Sequence, residues 1–294
     1  MKRLLLLFVL LPSLAWAGDD DDFGTWLELG AEKALPRNME IGMGGGLRMK
    51  DGSTLVDRWD LGASFGYKVH KYLKLSAGYS FLHDYSPEKR KEKYEIKGDA
   101  PQSEFEEYTY EKGFNLYKKH WSARHRIYVE ASSSVKLWKT IRLSGRLRYQ
   151  FTHKSVEKVD RYRYSEKIEV TPHMVGFVDG SPVFEMVEED PEINHDEWDI
   201  KSYDAENRQV LRSRLKIELD KKHLAWSPYV SVEFHNNVAS GAHMNFDKLR
   251  TSVGTTYKIN KQNSVGLAYV LTLNRMEQPH ERMHALSASY SYDF

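Results

Sequence analysis

The chain contains no cysteine in 294 residues, which removes disulfides and thiolate metal sites. It also removes a lipid-anchored lipoprotein, because that needs a cysteine after the first apolar run. No long hydrophobic run follows residues 4–11. A membrane-crossing helix needs roughly 20 consecutive apolar residues, so helical spans are excluded. Net charge is nearly absent, with 43 Lys and Arg against 42 Asp and Glu. That balance gives no ground for a nucleic-acid partner or for a generally basic membrane-surface protein. Mean hydropathy is also low, at −0.63, but this does not exclude a membrane barrel. A spanning strand needs only about 9 to 11 residues with every second one apolar.

What is present starts with Met1, Lys2 and Arg3, the apolar run 4–11, and Ala15-Trp16-Ala17 ahead of a polar stretch. This is the pattern of a secretory signal peptide over residues 1–17, with small residues flanking Trp16 as signal peptidase requires. The mature chain, 18–294, then begins Gly18-Asp19-Asp20.

A period of two runs through the mature chain. In the stretch 210–219, Leu211, Ser213, Leu215, Ile217 and Leu219 share one parity, while Arg212, Arg214, Lys216 and Glu218 share the other. A helix would spread these residues around its circumference; a strand sorts them onto two faces. The same sorting appears in 141–152 and 59–67, and in 23–33, 38–49, 73–83, 123–136, 228–236, 248–259, 264–274 and 283–294. These segments predict an all-β, antiparallel transmembrane β-barrel of roughly 10–12 strands with long extracellular loops.

Connection lengths support this. Short turns are expected at 69–72, 137–140, 220–226 and 259–263, and longer polar stretches at 50–54, 85–120, 155–207, 237–247 and 274–282. In outer-membrane barrels the turns are periplasmic and the loops extracellular. Eleven segments leave the first, 23–33, running in the same direction as the last, although bacterial single-chain barrels normally have an even count. Either 23–33 packs inside or beside a ten-stranded wall, or the parity differs somewhere. A hairpin is also expected within the second long loop, where 167–170 and 183–187 flank Val178-Asp179-Gly180-Ser181.

The chain ends Leu286-Ser287-Ala288-Ser289-Tyr290-Ser291-Tyr292-Asp293-Phe294, with Tyr290, Tyr292 and Phe294 on one face. This strand resembles the C-terminal signal by which the outer-membrane assembly machinery recognises its clients. Its rings suit a membrane interface. Taken with Asp22-Phe23-Gly24-Thr25-Trp26-Leu27-Glu28-Leu29, Arg58-Trp59-Asp60-Leu61-Gly62 and Tyr72-Leu73-Lys74-Leu75-Ser76-Ala77-Gly78-Tyr79, the mature chain resembles domain-of-unknown-function family 2490 of bacterial outer-membrane barrels. The resemblance implies a barrel in the cell outer membrane and no established activity, so no catalytic residues carry over.

If the apolar parity faces lipid, Arg124, Arg126, Arg142, Arg146, Arg148, Arg212, Arg214 and Lys216 face the lumen on three successive barrel strands, about 4.8 Å apart. One reading is a narrow anion-preferring pore, because guanidinium forks bind carboxylates and phosphates and rings of arginine favour anions. The other is an internal network neutralised by Glu28, Glu40, Asp60, Glu130, Glu218 and Glu233. A structural or surface-binding envelope protein acting through loops 85–120 and 155–207 is the alternative function, with lipopolysaccharide sugars and phosphates as partners of the charge-rich first loop.

A barrel hydrolase is less well supported. His125 falls on the opposite parity from Glu130, near Ser122, and His235 has no assignable serine. The acidic run at Glu188, Glu189, Asp190, Glu192, Asp196, Glu197 and Asp199 lacks the spacing of a calcium loop. No cofactor, metal or catalytic residue is expected.

Overall fold

Every segment with period-two alternation becomes a hydrogen-bonded strand. The computed structural model describes residues 21–98, 106–138, 140–179, 181–221, 224–238, 245–274 and 282–294. The signal peptide expected at 1–17 lies outside them. Two compact units make up the chain.

The first unit is a closed barrel of eleven strands. In chain order they are β1 (Asp21–Leu35), β2 (Met39–Lys50), β3 (Leu55–His70) and β4 (Leu73–Ser86), and then, after two strands of the other unit, β7 (His120–Leu137) and β8 (Ile141–Lys154). The remainder are β12 (Glu206–Leu219), β13 (Trp226–Asn237), β14 (Asn245–Lys258), β15 (Asn263–Asn274) and β16 (Arg282–Asp293). Each barrel strand has at least the 9 to 11 residues a bilayer crossing takes. Around the wall the order is β1-β16-β15-β14-β13-β12-β8-β7-β4-β3-β2.

The expected antiparallel barrel needs one correction. β1 pairs with β16 in parallel, from Asp21 opposite Arg282 to Glu32 opposite Asp293. An odd number of up-and-down strands leaves the first and last pointing the same way, so a ring of eleven can close only through a parallel pair. The segment 23–33 is therefore part of the wall, neither inside it nor beside it. The Phe294 amide secures the seam's end by donating to the Glu32 carbonyl at 2.8 Å.

The two parities separate as the sequence predicts. Leu61, Phe65, Ile127, Val129, Leu147, Leu215, Ile217 and Leu267 lie exposed on the outer surface of the barrel. Ser122, Gln150, Thr152, Ser231, Glu233 and Thr272 are buried on the inside. A soluble sandwich would place the aliphatic face in its core. Small residues widen the bore on one side: Gly42, Gly44 and Gly46 of β2 share the inner parity with Gly62 and Ser64 of β3. Opposite them stand the arginine-bearing strands. At Gly78 a side chain would meet the Tyr128 ring at 2.4 Å, so this glycine lets the tyrosine lie against the β4 backbone.

The second unit replaces the long loops expected at 85–120 and 155–207 with a five-stranded sheet. It contains β5 (Lys89–Lys97), β6 (Tyr108–Tyr117), β9 (Glu157–Val178), β10 (Ser181–Glu188) and β11 (Glu192–Tyr203). β9 pairs with β6 along one edge and with β11 and then β10 along the other. The expected hairpin is present, with Val178 opposite Ser181. A small core of Tyr110, Ile168 and Val170 holds the sheet. On the opposite face the buried Glu111 carboxylate accepts from Lys93 at 2.8 Å and pairs with Lys97 at 3.0 Å.

Candidate functional site

Strand register decides which of the predicted lumen cations meet. Arg148 on β8 sits opposite Glu130 on β7 and opposite Arg212 on β12, and Arg146 sits opposite Arg214. Like charges directly across a ladder repel unless a counter-charge intervenes. Two carboxylates do so. Glu130 accepts from Arg148 Nε at 2.6 Å and lies 3.8 Å from Arg146. Glu233, on β13, takes Arg146 on one oxygen, and Arg212 (Nε at 3.0 Å) and His235 Nε2 (2.8 Å) on the other.

The rest of the predicted strip divides. Arg142 is engaged at the short-turn end by Asp220 at 2.5 Å, and Lys216 pairs with Glu218 at 2.5 Å. Arg124 Nε lies 2.9 Å from Asp84, which also takes Arg58. Among the described residues Arg126 donates only to the Thr152 hydroxyl, at 3.1 Å, and Arg214 has no carboxylate within ion-pair distance. Internal neutralisation therefore accounts for much of the strip while leaving Arg126 and Arg214 without a direct carboxylate pair among the described residues.

Around Arg126 the barrel encloses a chamber of about 150 Å³. Its wall brings together strands far apart in sequence: Arg48 of β2, Arg58 of β3, Arg124 and Arg126 of β7, Arg208 and Arg212 of β12, and Lys248 and Arg250 of β14. With Lys154, nine cationic side chains line it against two carboxylates, Glu206 and Asp247. Adding the flanking Asp84 and Glu233 still leaves cations ahead by nine to four. Several kcal/mol per ion is the effective cost of removing such charges from bulk water, so an excess of this kind calls for water or a bound counter-ion. Arg208 is held by Asp247 through Nη2, but its buried Nε has no hydrogen-bond partner among the described residues.

Trp26 of β1 lies against two of the chamber's arginines. Its ring is 6% exposed, packed with Val270 and Ala285, and both the Arg48 and the Arg250 guanidinium lie 4.7 Å from its centroid. The ring quadrupole stabilises these two cations, neither of which forms a direct ion pair with a carboxylate among the described residues. Beyond Arg48 lies a second cavity of about 400 Å³, lined by Gly42, Gly44, Gly46, Ser64 and Ser80, by the acids Glu28, Glu32 and Asp60, and by Arg148. Arg48 borders both cavities. The chamber residues flank the ends of strands away from the short turns, so the bore is strongly basic in one half and mixed and roomier in the other.

The remaining sequence candidates are dispersed. His125 projects outward and bonds the Tyr79 hydroxyl at 2.7 Å, whereas Ser122 is buried and Glu130 is engaged by arginines. His235 faces inward onto Glu233. In the acidic run, Glu188 accepts from Tyr110 at 2.7 Å and Glu189 from Thr171 at 2.9 Å, while Asp196 is taken by Tyr162 and Asp199 by Arg161. Among the described residues no group of three or more such side chains is arranged to hold a metal ion. At the C-terminus the Tyr292 and Phe294 rings meet edge to face at 4.6 Å, and Tyr290 bonds Asn263.

The family model described as "Protein of unknown function (DUF2490)" matches residues 23–283. The chain belongs to this family. Among solved structures, this DUF2490 chain is similar to the translocator domain of autotransporter NalP from Neisseria meningitidis, at 8% identity and a TM-score of 0.27, over 92% of this chain and 88% of that one. No curated protein matches the DUF2490 chain.

The chamber cations missed by sequence reasoning are Arg48, Arg58, Lys154, Arg208, Lys248 and Arg250. A signal for them existed, since each falls on the inner parity of its strand. What the sequence could not give was the closure that carries β2, β3 and β14 round to face β7 and β12.

Proposed function

We infer that this DUF2490 chain is an integral outer-membrane barrel whose lumen admits and favours small anions. The observation that carries the reading is the basic chamber. A closed wall, apolar outside, brings an excess of cations into a bore that continues past Arg48 into a cavity of about 400 Å³. Positive rings in a narrow, water-filled constriction raise the local concentration of anions and exclude cations.

Several features support the membrane setting. The exposed aliphatic band and the strand lengths suit a bilayer, the aromatic C-terminal strand suits recognition by the outer-membrane assembly machinery, and the signal sequence at 1–17 suits export. The short turns then face the periplasm, and lipids and lipopolysaccharide surround the wall.

The test is ion conductance of the purified protein in planar bilayers. An anion-selective current that loses selectivity in Arg126→Glu and Arg250→Glu supports the reading; a cation-selective current, or none, overturns it.

A second reading, surface binding through the connections 85–120 and 155–207, is favoured by their folding into an ordered sheet with Met174, Val175, Phe177 and Val178 exposed at one hairpin. Surface binding that survives deletion of that hairpin would count against it.

A further inference from the structure

We propose that the chamber beneath the Arg48, Trp26 and Arg250 stack is a binding site for a soluble phosphate-class oxyanion, of which inorganic pyrophosphate is the simplest probe. This deepens the anion-path reading and rests on it.

Charge and geometry select the class. A lone carboxylate is satisfied by one guanidinium fork. Here forks approach from four separate parts of the wall, β2 and β3, β7, β12, and β14. A tetrahedral oxyanion presents oxygens in all those directions; a planar carboxylate does not. A dicarboxylate would need basic groups at two ends of an apolar span, and Val210 is the one aliphatic residue in the lining. The volume, about 150 Å³, holds several waters and hence a phosphate-sized group.

The donors are also available. Arg48 and Arg250 are held by the indole ring, Arg126 by a hydroxyl at 3.1 Å, and Arg208 keeps a buried Nε–H unpartnered among the described residues. None of these contacts would have to break a carboxylate pair to admit an anion. Arg212, anchored on Glu233, and Arg124, beside Asp84, complete the wall as fixed charges. The eleven strands close without a gap, so the ligand enters along the bore, and a lipid headgroup, which would need a lateral opening, is not the occupant.

The test uses the full mature protein folded in a nonionic detergent free of lipid, titrated calorimetrically with pyrophosphate, phosphate and succinate. One pyrophosphate site is expected, weakening steeply with added salt, with phosphate weaker and succinate weaker still. Arg126→Gln and Arg250→Gln should each reduce pyrophosphate affinity at least tenfold, while Lys167→Gln on β9 leaves it unchanged. Gel mobility with and without heating reports whether each variant is folded. Should Arg250→Gln fail to fold, Arg126→Lys, which keeps charge but loses the fork, should still show the drop.

No binding of pyrophosphate at millimolar concentration, succinate binding as tight as pyrophosphate, or binding seen only with added lipopolysaccharide would each overturn the site. The outcome is separable from that of the pore reading. An anion-selective current with no pyrophosphate binding rejects the site alone, and pyrophosphate binding without current rejects the pore alone.

Discussion

Arg250 of β14 and Trp26 of β1 stand three positions apart around the barrel wall, yet the guanidinium lies 4.7 Å from the indole centroid. A contact that skips the two intervening strands has to pass through the bore. It places the Trp26 ring on the inside of the barrel, with Arg48 on the same ring.

Replacing that ring should widen the path. Trp26→Ala removes a buried indole and the cation–π support of two arginines, so it should raise single-channel conductance. It should also lower stability by about 3 kcal/mol, the lower end for an aromatic truncated to alanine. Bilayer recording with a thermal gel-shift series reads both, and an unchanged conductance would mean that Trp26 does not narrow the path.

Glu233 is shared by Arg146, Arg212 and His235. Glu233→Gln strands these groups in a poorly hydrated place, and breaking such a network costs about 3 to 5 kcal/mol. Adding Arg212→Gln should restore part of the loss, because one unpaired cation goes with it. Urea titration of single and double variants in detergent measures the coupling, which would be absent if Glu233 were spectator to the arginines.

The second unit should be sensitive to acid through Glu111. Burial raises its carboxyl, but hydrogen bonds from lysines, Lys93 foremost, outweigh this and hold it at about 2 against an ordinary 4.5. A carboxyl whose folded value is depressed contributes stability that is complete above its ordinary value and disappears as pH falls through the folded one. The sheet should therefore loosen between pH 4.5 and 2, seen as protease cleavage within 86–121 or 156–204. In Glu111→Gln the sheet should be weaker at pH 7, with a flatter profile below pH 4.5.

Because the chain has no cysteine, single introduced thiols report sidedness cleanly. Thr54→Cys, in the β2–β3 turn, should react with an impermeant maleimide on intact cells. Lys261→Cys, in the β14–β15 turn, should react only after the envelope is permeabilised. The reverse pattern would invert the barrel in the membrane.

Much of the wall was legible because its rule is local: alternate side chains meet alternate environments, so Leu215 against Lys216 or Leu147 against Arg148 reveals a strand without knowledge of its partner. The extra sheet was not legible by that rule. β5 reads Lys-Arg-Lys-Glu-Lys-Tyr-Glu-Ile-Lys, with charge on both parities, and resembles a solvated loop until β6 is placed against it. The site lay between these cases. Arg124 through Lys216 could be gathered because hairpins link β7 to β8 and register carries the pattern to β12. Arg48 and Arg250 are separated by some two hundred residues, and only ring closure brings them to one indole.

That closure has a corollary for the strand that makes the count odd. Were β1 withdrawn, β2 and β16 would become bare edges running in opposite senses, able to zip together in the ordinary fashion as a slimmer ten-membered ring. The peptide that would be expelled is the one bearing Trp26. In this molecule, then, the parity of the cylinder and the indole that gathers two of its arginines reside in a single segment, so a change that removes one removes the other.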